Sequence, residues 1–149
     1  MRAVSRRAAL ALGLGTAAAW ATARRARATP SEADAEIAKF TGGKSAEQGG
    51  IAIDLPEIAE NGTAVPLAVT VESPMTAADW ITDVLVVADG NPNARVAAFR
   101  FTPLSARAEL ATRIRLNATE NVIVVARTSD NRFYTARKEV KVTIGGCGG

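Results

Sequence analysis

The chain contains no histidine, and only one of its 149 residues, Cys147, is a cysteine. Without histidine there is no Ser–His–Asp triad, no histidine-assisted thiol nucleophile and no His-ligated zinc. With one thiol, no internal disulfide can form. Long apolar runs are missing as well. The longest, residues 8–23, is about 16 residues of mostly alanine, diluted by Gly13, Gly15, Thr16 and Thr22, and falls short of the roughly 20 that a membrane span needs. Acidic residues are absent from residues 1–28, which hold Arg2, Arg6, Arg7, Arg24, Arg25 and Arg27. The overall charge of +3 is therefore misleading. Beyond residue 28, 12 basic residues face 15 acidic ones, a net of −3. A chain with that balance has no general attraction to nucleic acid or anionic membrane. What remains, 48% hydrophobic and 22% charged, has the composition and length of one ordinary globular domain.

The first 28 residues read as an address. Arg6-Arg7 precede the alanine-rich stretch, and Ala26-Arg27-Ala28 forms an A-x-A cleavage site, which predicts a mature start at Thr29. The paired arginines resemble a twin-arginine export signal. The basic residues beside the cleavage site agree, since they disfavour the general secretory route. This places the mature chain in a bacterial periplasm, where exposed thiols tend to oxidise.

After the leader, residues 29–50 read as a helix and linker. Ser31-Glu32-Ala33-Asp34 resembles a capping box, Ile37, Ala38 and Phe40 form a small apolar stripe, and Gly42-Gly43 ends the helix, giving a span of about 31–41. Residues 44–50 are polar and glycine-rich. From Ile51 the period changes to two. Ile51, Ile53 and Leu55 alternate, then Val65, Leu67, Val69 and Val71. Residues 81–88 are almost continuously apolar, as a strand covered on both faces would be. Further runs follow over 96–101, 110–116, 122–126 and 134–144. Glu60-Asn61-Gly62, Asp89-Gly90-Asn91 and Ser129-Asp130-Asn131 supply turns. Asn61-Gly62-Thr63 and Asn117-Ala118-Thr119 match glycosylation sequons, but after a bacterial export signal they read as turn residues. About seven short strands with no helical period predict an all-β fold. Its form is an immunoglobulin-like antiparallel β-sandwich over 51–144, resting on packing alone, with a short N-terminal helix.

The last strand runs into Gly145-Gly146-Cys147-Gly148-Gly149. Glycine gives the backbone freedom without side-chain bulk. From Ile144 to Cys147 the chain spans at most about 10 Å. Residues 145–149 thus predict a flexible arm, a thiol on a thin tether rooted in a rigid strand and slim enough for a narrow channel. A frayed tail that happens to hold a cysteine is the bland alternative, but an idle exposed thiol is a liability in an oxidising compartment. The thiol has only glycines and the terminal carboxylate around it, so nothing lowers its pKa. That pattern describes a carrier that other proteins load, with no catalytic group, metal ligand set or cofactor of its own.

The ending Val140-Lys141-Val142-Thr143-Ile144-Gly145-Gly146-Cys147-Gly148-Gly149 closely resembles the SoxY family of sulfur carriers. Shorter matches lie at Ile58-Ala59-Glu60-Asn61-Gly62, Ser73-Pro74-Met75, Asn91-Pro92 and Thr112-Arg113-Ile114-Arg115-Leu116. The resemblance implies a heterodimer with a SoxZ-type subunit. It implies loading of thiosulfate onto Cys147 by the c-type haem enzyme SoxAX, hydrolysis by the manganese enzyme SoxB, and oxidation of the remaining sulfur by a sulfane dehydrogenase where one is present. The haem and metals belong to those partners. Two other classes compete. An interaction module would link through an intermolecular disulfide, giving a Cys147-linked homodimer. A thiol oxidoreductase would usually need a resolving cysteine, which the sequence lacks.

Overall fold

The structure, a computed structural model, describes residues 30–145. Among the described residues, one α-helix, α1 (Pro30–Thr41), precedes nine strands. These are β1 (Glu47–Gln48), β2 (Ile51–Asp54), β3 (Ile58–Asn61), β4 (Val65–Val71), β5 (Ile81–Ala88), β6 (Arg95–Arg100), β7 (Ala108–Ile114), β8 (Glu120–Thr128) and β9 (Phe133–Ile144). They form two sheets. The larger runs β1-β9-β8-β5-β6, with β3 also paired to β9; the smaller runs β2-β4-β7. Every pairing is antiparallel except those of β1 and β3 with β9.

The alternation along β4 explains the sandwich. Val65, Leu67, Val69 and Val71 are buried, while Pro66 and Thr70 face water. That face packs on Val84, Val86 and Ala88 of β5 and on Val122 and Val124 of β8. A truncation such as Leu67→Ala, in a side chain 1% exposed, costs about 2–5 kcal/mol. The apolar run of β5 is covered on both faces, as its sequence predicts. Leu85 and Val87 belong to a second core with Ile123, Val125, Phe133 and Ala33, roofed by α1.

The helix docks through Phe40, whose ring meets Phe133 edge-on at 6.0 Å and lies under the Arg127 guanidinium at 5.8 Å. Arg127 in turn pairs with Asp83, which also receives Arg100 Nε at 3.4 Å. Burial pushes the Asp83 carboxyl up, but hydrogen bonds from Arg127, Thr82 and Arg100 more than reverse this and hold it below the usual carboxylate range.

Several local expectations are corrected. The helix begins at Pro30, a residue suited to the first turn, so Ser31 lies inside it and not at an N-cap. Its buried face is Ala33, Ile37 and Phe40, whereas Ala38 is exposed, because a spacing of four rather than five residues from Ala33 keeps to one stripe. Gly42 and Gly43 do end it, at φ of +64° and +80°. Nine strands replace seven. β1 lies in the polar, glycine-rich segment 44–50, and β3 takes in Glu60 and Asn61, so the turn that Glu60-Asn61-Gly62 predicts starts only at Gly62. Both missed strands are short and draw their order from β9 rather than from an alternating pattern of their own.

Candidate functional site

Cys147, Gly146, Gly148 and Gly149 lie outside the described residues, as does the leader with its cleavage site. Gly145 is the last described residue, and the structure shows how the chain is held up to that point.

β9 is 12 residues long and is braced twice. Its antiparallel partner β8 reaches only to the Glu120–Val140 pair. Beyond it β3 takes over, pairing Ile58 with Lys141, Ala59 with Val142 and Asn61 with Ile144. Bonds on both sides continue the ladder. Lys141 N donates to the Glu57 carbonyl at 2.9 Å, Gly62 N donates to the Ile144 carbonyl at 2.7 Å, and the Thr143 hydroxyl donates to the Glu60 carbonyl at 2.7 Å. From the other side, Val142 N donates to the Thr119 hydroxyl at 3.1 Å. The side chains turn outward as the strand leaves the core: Val140 is buried, Val142 is partly buried, and Ile144 is 68% exposed.

Gly145 closes this root. A Cβ at that position would stand 2.0 Å from the Asn117 carbonyl oxygen. The sequence suggests freedom for this glycine; the structure gives it a steric role, a close backbone approach that no side chain permits. Asn117 cannot easily give way. Its N–H is held by Asn91 Oδ1 at 2.9 Å and by Glu120 Oε1 at 2.8 Å, while Leu116 N donates to the Gly62 carbonyl at 2.8 Å.

Glu120 organises that loop. It is 4% exposed, and its Oε2 accepts from Gly90 N at 2.7 Å. Burial pushes its carboxyl above the ordinary range, the bonds from Gly90, Asn117 and Ala118 oppose the rise, and Asp89 adds to it. Gly90 has no room for a Cβ, which would fall 2.9 Å from Glu120 Cβ. Asn91 Nδ2 reaches the Arg115 carbonyl at 2.8 Å, which ties the 89–91 turn to the end of β7.

Sequence reasoning missed Asn91, Thr119 and Glu120 as supports. The signal was present: both sequon-like turns, 61–63 and 117–119, flank the root. No group of three or more potential metal ligands exists among the described residues.

Residues 37–147 match the family model of the sulfur oxidation protein SoxY. The chain belongs to the SoxY family. The structure of the sulfur carrier protein SoxY from Chlorobium limicola f thiosulfatophilum is 34% identical, with a TM-score of 0.66 over 78% of this chain and 100% of that one. A superoxide reductase (neelaredoxin) from Ignicoccus hospitalis is 22% identical, with a TM-score of 0.57 over 77% of this chain and 94% of that one. The superoxide reductase from Nanoarchaeum equitans is 12% identical, with a TM-score of 0.54 over 64% and 100%. These two share the fold alone. No curated protein matches the chain. The two-sheet sandwich with one short helix is the architecture expected from the sequence.

Proposed function

We propose that this chain is a covalent sulfur carrier of thiosulfate oxidation, with Cys147 as the attachment point. The observation that carries the reading is the SoxY-family match extending through residue 147, continuous with a strand braced up to Gly145. The rigid root fixes where the tether starts, and the glycines beyond it add length without bulk.

Loading is an oxidation. Cys147–SH and thiosulfate give Cys147–S–S–SO3⁻, one proton and two electrons, and the electrons pass to a partner c-type haem enzyme of the SoxAX kind. Water then cleaves the S–SO3 bond in a SoxB-type manganese hydrolase, leaving Cys147–S–SH and releasing sulfate and a proton. A sulfane dehydrogenase, where present, oxidises the remaining sulfur. This chain supplies the thiol and its delivery and performs no catalysis. We assign it a SoxZ-type partner subunit and a periplasmic location, reached by the twin-arginine route with cleavage before Thr29.

Intact-mass analysis tests the reading. Incubation with thiosulfate and the haem enzyme is expected to give a thiosulfonate adduct that maps to Cys147 and is absent in Cys147→Ser. A thiol that only dimerises, with no sulfur adduct, would refute carriage in favour of a disulfide-linked interaction module.

A further inference from the structure

Two open sheet edges face each other across a cleft of about 390 Å³. Among the described residues, β6 pairs only with β5, and β7 only with β4. The cleft is lined by Arg95, Val96 and Ala97 of β6, by Thr112 and Arg113 of β7, and by Arg115 and Asn91 at one end. No carboxylate lines it among the described residues. Arg100, Arg107, Arg127 and Arg132 are all held in ion pairs. Arg95, Arg113 and Arg115 form none among the described residues, and Glu36, an acid near Arg95, is itself bonded to Lys39. Of the four described arginines outside ion pairs, three therefore line one cleft, and only Arg137 lies elsewhere.

The cleft begins beside the arm root. Asn91 and Arg115 line it, Asn91 holds Asn117 N, and the carbonyl of that same Asn117 lies against Gly145. One residue thus separates the near wall of the cleft from the root. Two backbone steps from Gly145 to Cys147, the cysteine side chain and an S–S bond of about 2 Å carry a terminal group on the order of 10 Å from Gly145.

We propose that this cleft is a holding site for the sulfonate group of the cargo on Cys147. The proposal rests on the carrier reading above. Guanidinium groups match a tetrahedral oxyanion through paired, charge-assisted hydrogen bonds. The thiosulfonate presents three such oxygens. The persulfide left after sulfate departs presents none, so the cleft distinguishes a loaded arm from a hydrolysed one. The arm is retained between loading and hydrolysis and released afterwards. The interaction is a surface one that salt screens, with a Debye length of about 8 Å at physiological ionic strength that shortens as salt is added. This keeps the cargo available to an enzyme that competes for it.

The test uses the full mature chain, loaded chemically so that no partner enzyme is needed. Tetrathionate converts the Cys147 thiolate to Cys147–S–S–SO3⁻ and expels thiosulfate. Arginine Nε–Hε signals are followed by NMR in the reduced and loaded protein. Loading is expected to move the Arg113 and Arg115 signals, and Arg95 with them, while Arg137 stays fixed. One equivalent of free thiosulfate added to Cys147→Ser is expected to move none of them; equal shifts there would overturn tethered holding in favour of a site for free anions. Dithiothreitol should remove the adduct about two- to tenfold faster from the Arg113→Gln/Arg115→Gln protein than from wild type, with the difference vanishing at about 0.5 M salt. Wild type alone, compared at low and high salt, gives the same reading should the double variant fold poorly. Protein whose mass shows full loading but whose three arginines do not respond overturns the cleft and leaves the carrier reading intact. An absent enzyme-dependent adduct overturns the carrier reading, and the holding role falls with it.

Discussion

Gly145→Ala is the most direct perturbation of the arm root. The added Cβ would lie 2.0 Å from the Asn117 carbonyl oxygen, more than about 1 Å inside van der Waals contact. Neither partner can absorb that overlap by a rotamer change, because both are backbone. Asn117 is pinned by Asn91 and Glu120, so the relief must come from Gly145 peeling away. Peeling sacrifices the bond from Gly62 N to the Ile144 carbonyl and loosens the Asn61–Ile144 pair. One or two backbone hydrogen bonds at a strand end are worth about 0.5–1.5 kcal/mol each. The main core is untouched, so the loss stays near 1–2 kcal/mol. The midpoint of thermal unfolding should fall by about 4–8 °C for each kcal/mol in a domain this size. The sharper readout is local: hydrogen exchange of the Gly62 amide should accelerate about tenfold per 1.4 kcal/mol of lost protection, while amides of β5 and β8 follow only the global change. A variant with wild-type Gly62 exchange would refute the account of Gly145 as a steric lock, and with it the idea that the arm departs from a fixed point.

Other outcomes test the arm and the fold that supports it. Cys147→Ser should abolish adduct formation by intact mass while leaving the melting temperature unchanged. Gly146→Val and Gly148→Val should react normally with a small thiol reagent yet turn over poorly with the haem enzyme and the hydrolase, read as sulfate release. Gly90→Ala should destabilise by about 1–3 kcal/mol in denaturant titration, since its Cβ meets the Cβ of Glu120, which no rotamer change moves, as well as the carboxylate. Asp83→Asn carries a pH signature. Because the folded-state pKa of Asp83 lies below its usual value, its contribution is present above about pH 4 and is lost as pH falls through the folded value. The stability gap between wild type and variant should therefore be full at pH 7 and shrink below pH 4. Glu120 has the opposite sign: its raised pKa means that its contribution improves as pH falls from above the folded value towards the ordinary carboxylate range.

The sandwich was legible because its main strands carry their own pattern. β4 alternates and β5 is continuously apolar from Val84 to Ala88, and both features state which faces are covered. β1 and β3 carry no such pattern. Glu47 and Gln48 are exposed, and of the four residues in β3 only Ala59 is buried. Their pairing is decided by β9, a strand far away in the sequence, so no local reading could supply it. The turn residues at 60–62 were misplaced by the same cause: Asn-Gly marks a turn, but long-range pairing sets where the strand ends.

The candidate site divides along the same line. Cys147 and its glycines stand out by composition alone. The supports do not, because each is an ordinary polar residue whose partner lies across the fold: Glu120 with Gly90, Asn91 with Arg115, Thr119 with Val142. Gly145 shows the difference most plainly. Its composition groups it with Gly146, Gly148 and Gly149, yet its packing groups it with Gly90, another glycine that a neighbouring atom leaves no room to replace. A glycine-flanked thiol is useful for delivery only if one end of the tether stays put. The buried carboxylate of Glu120, holding three backbone N–H groups of the turns that meet at Asn117, is the feature that fixes that end.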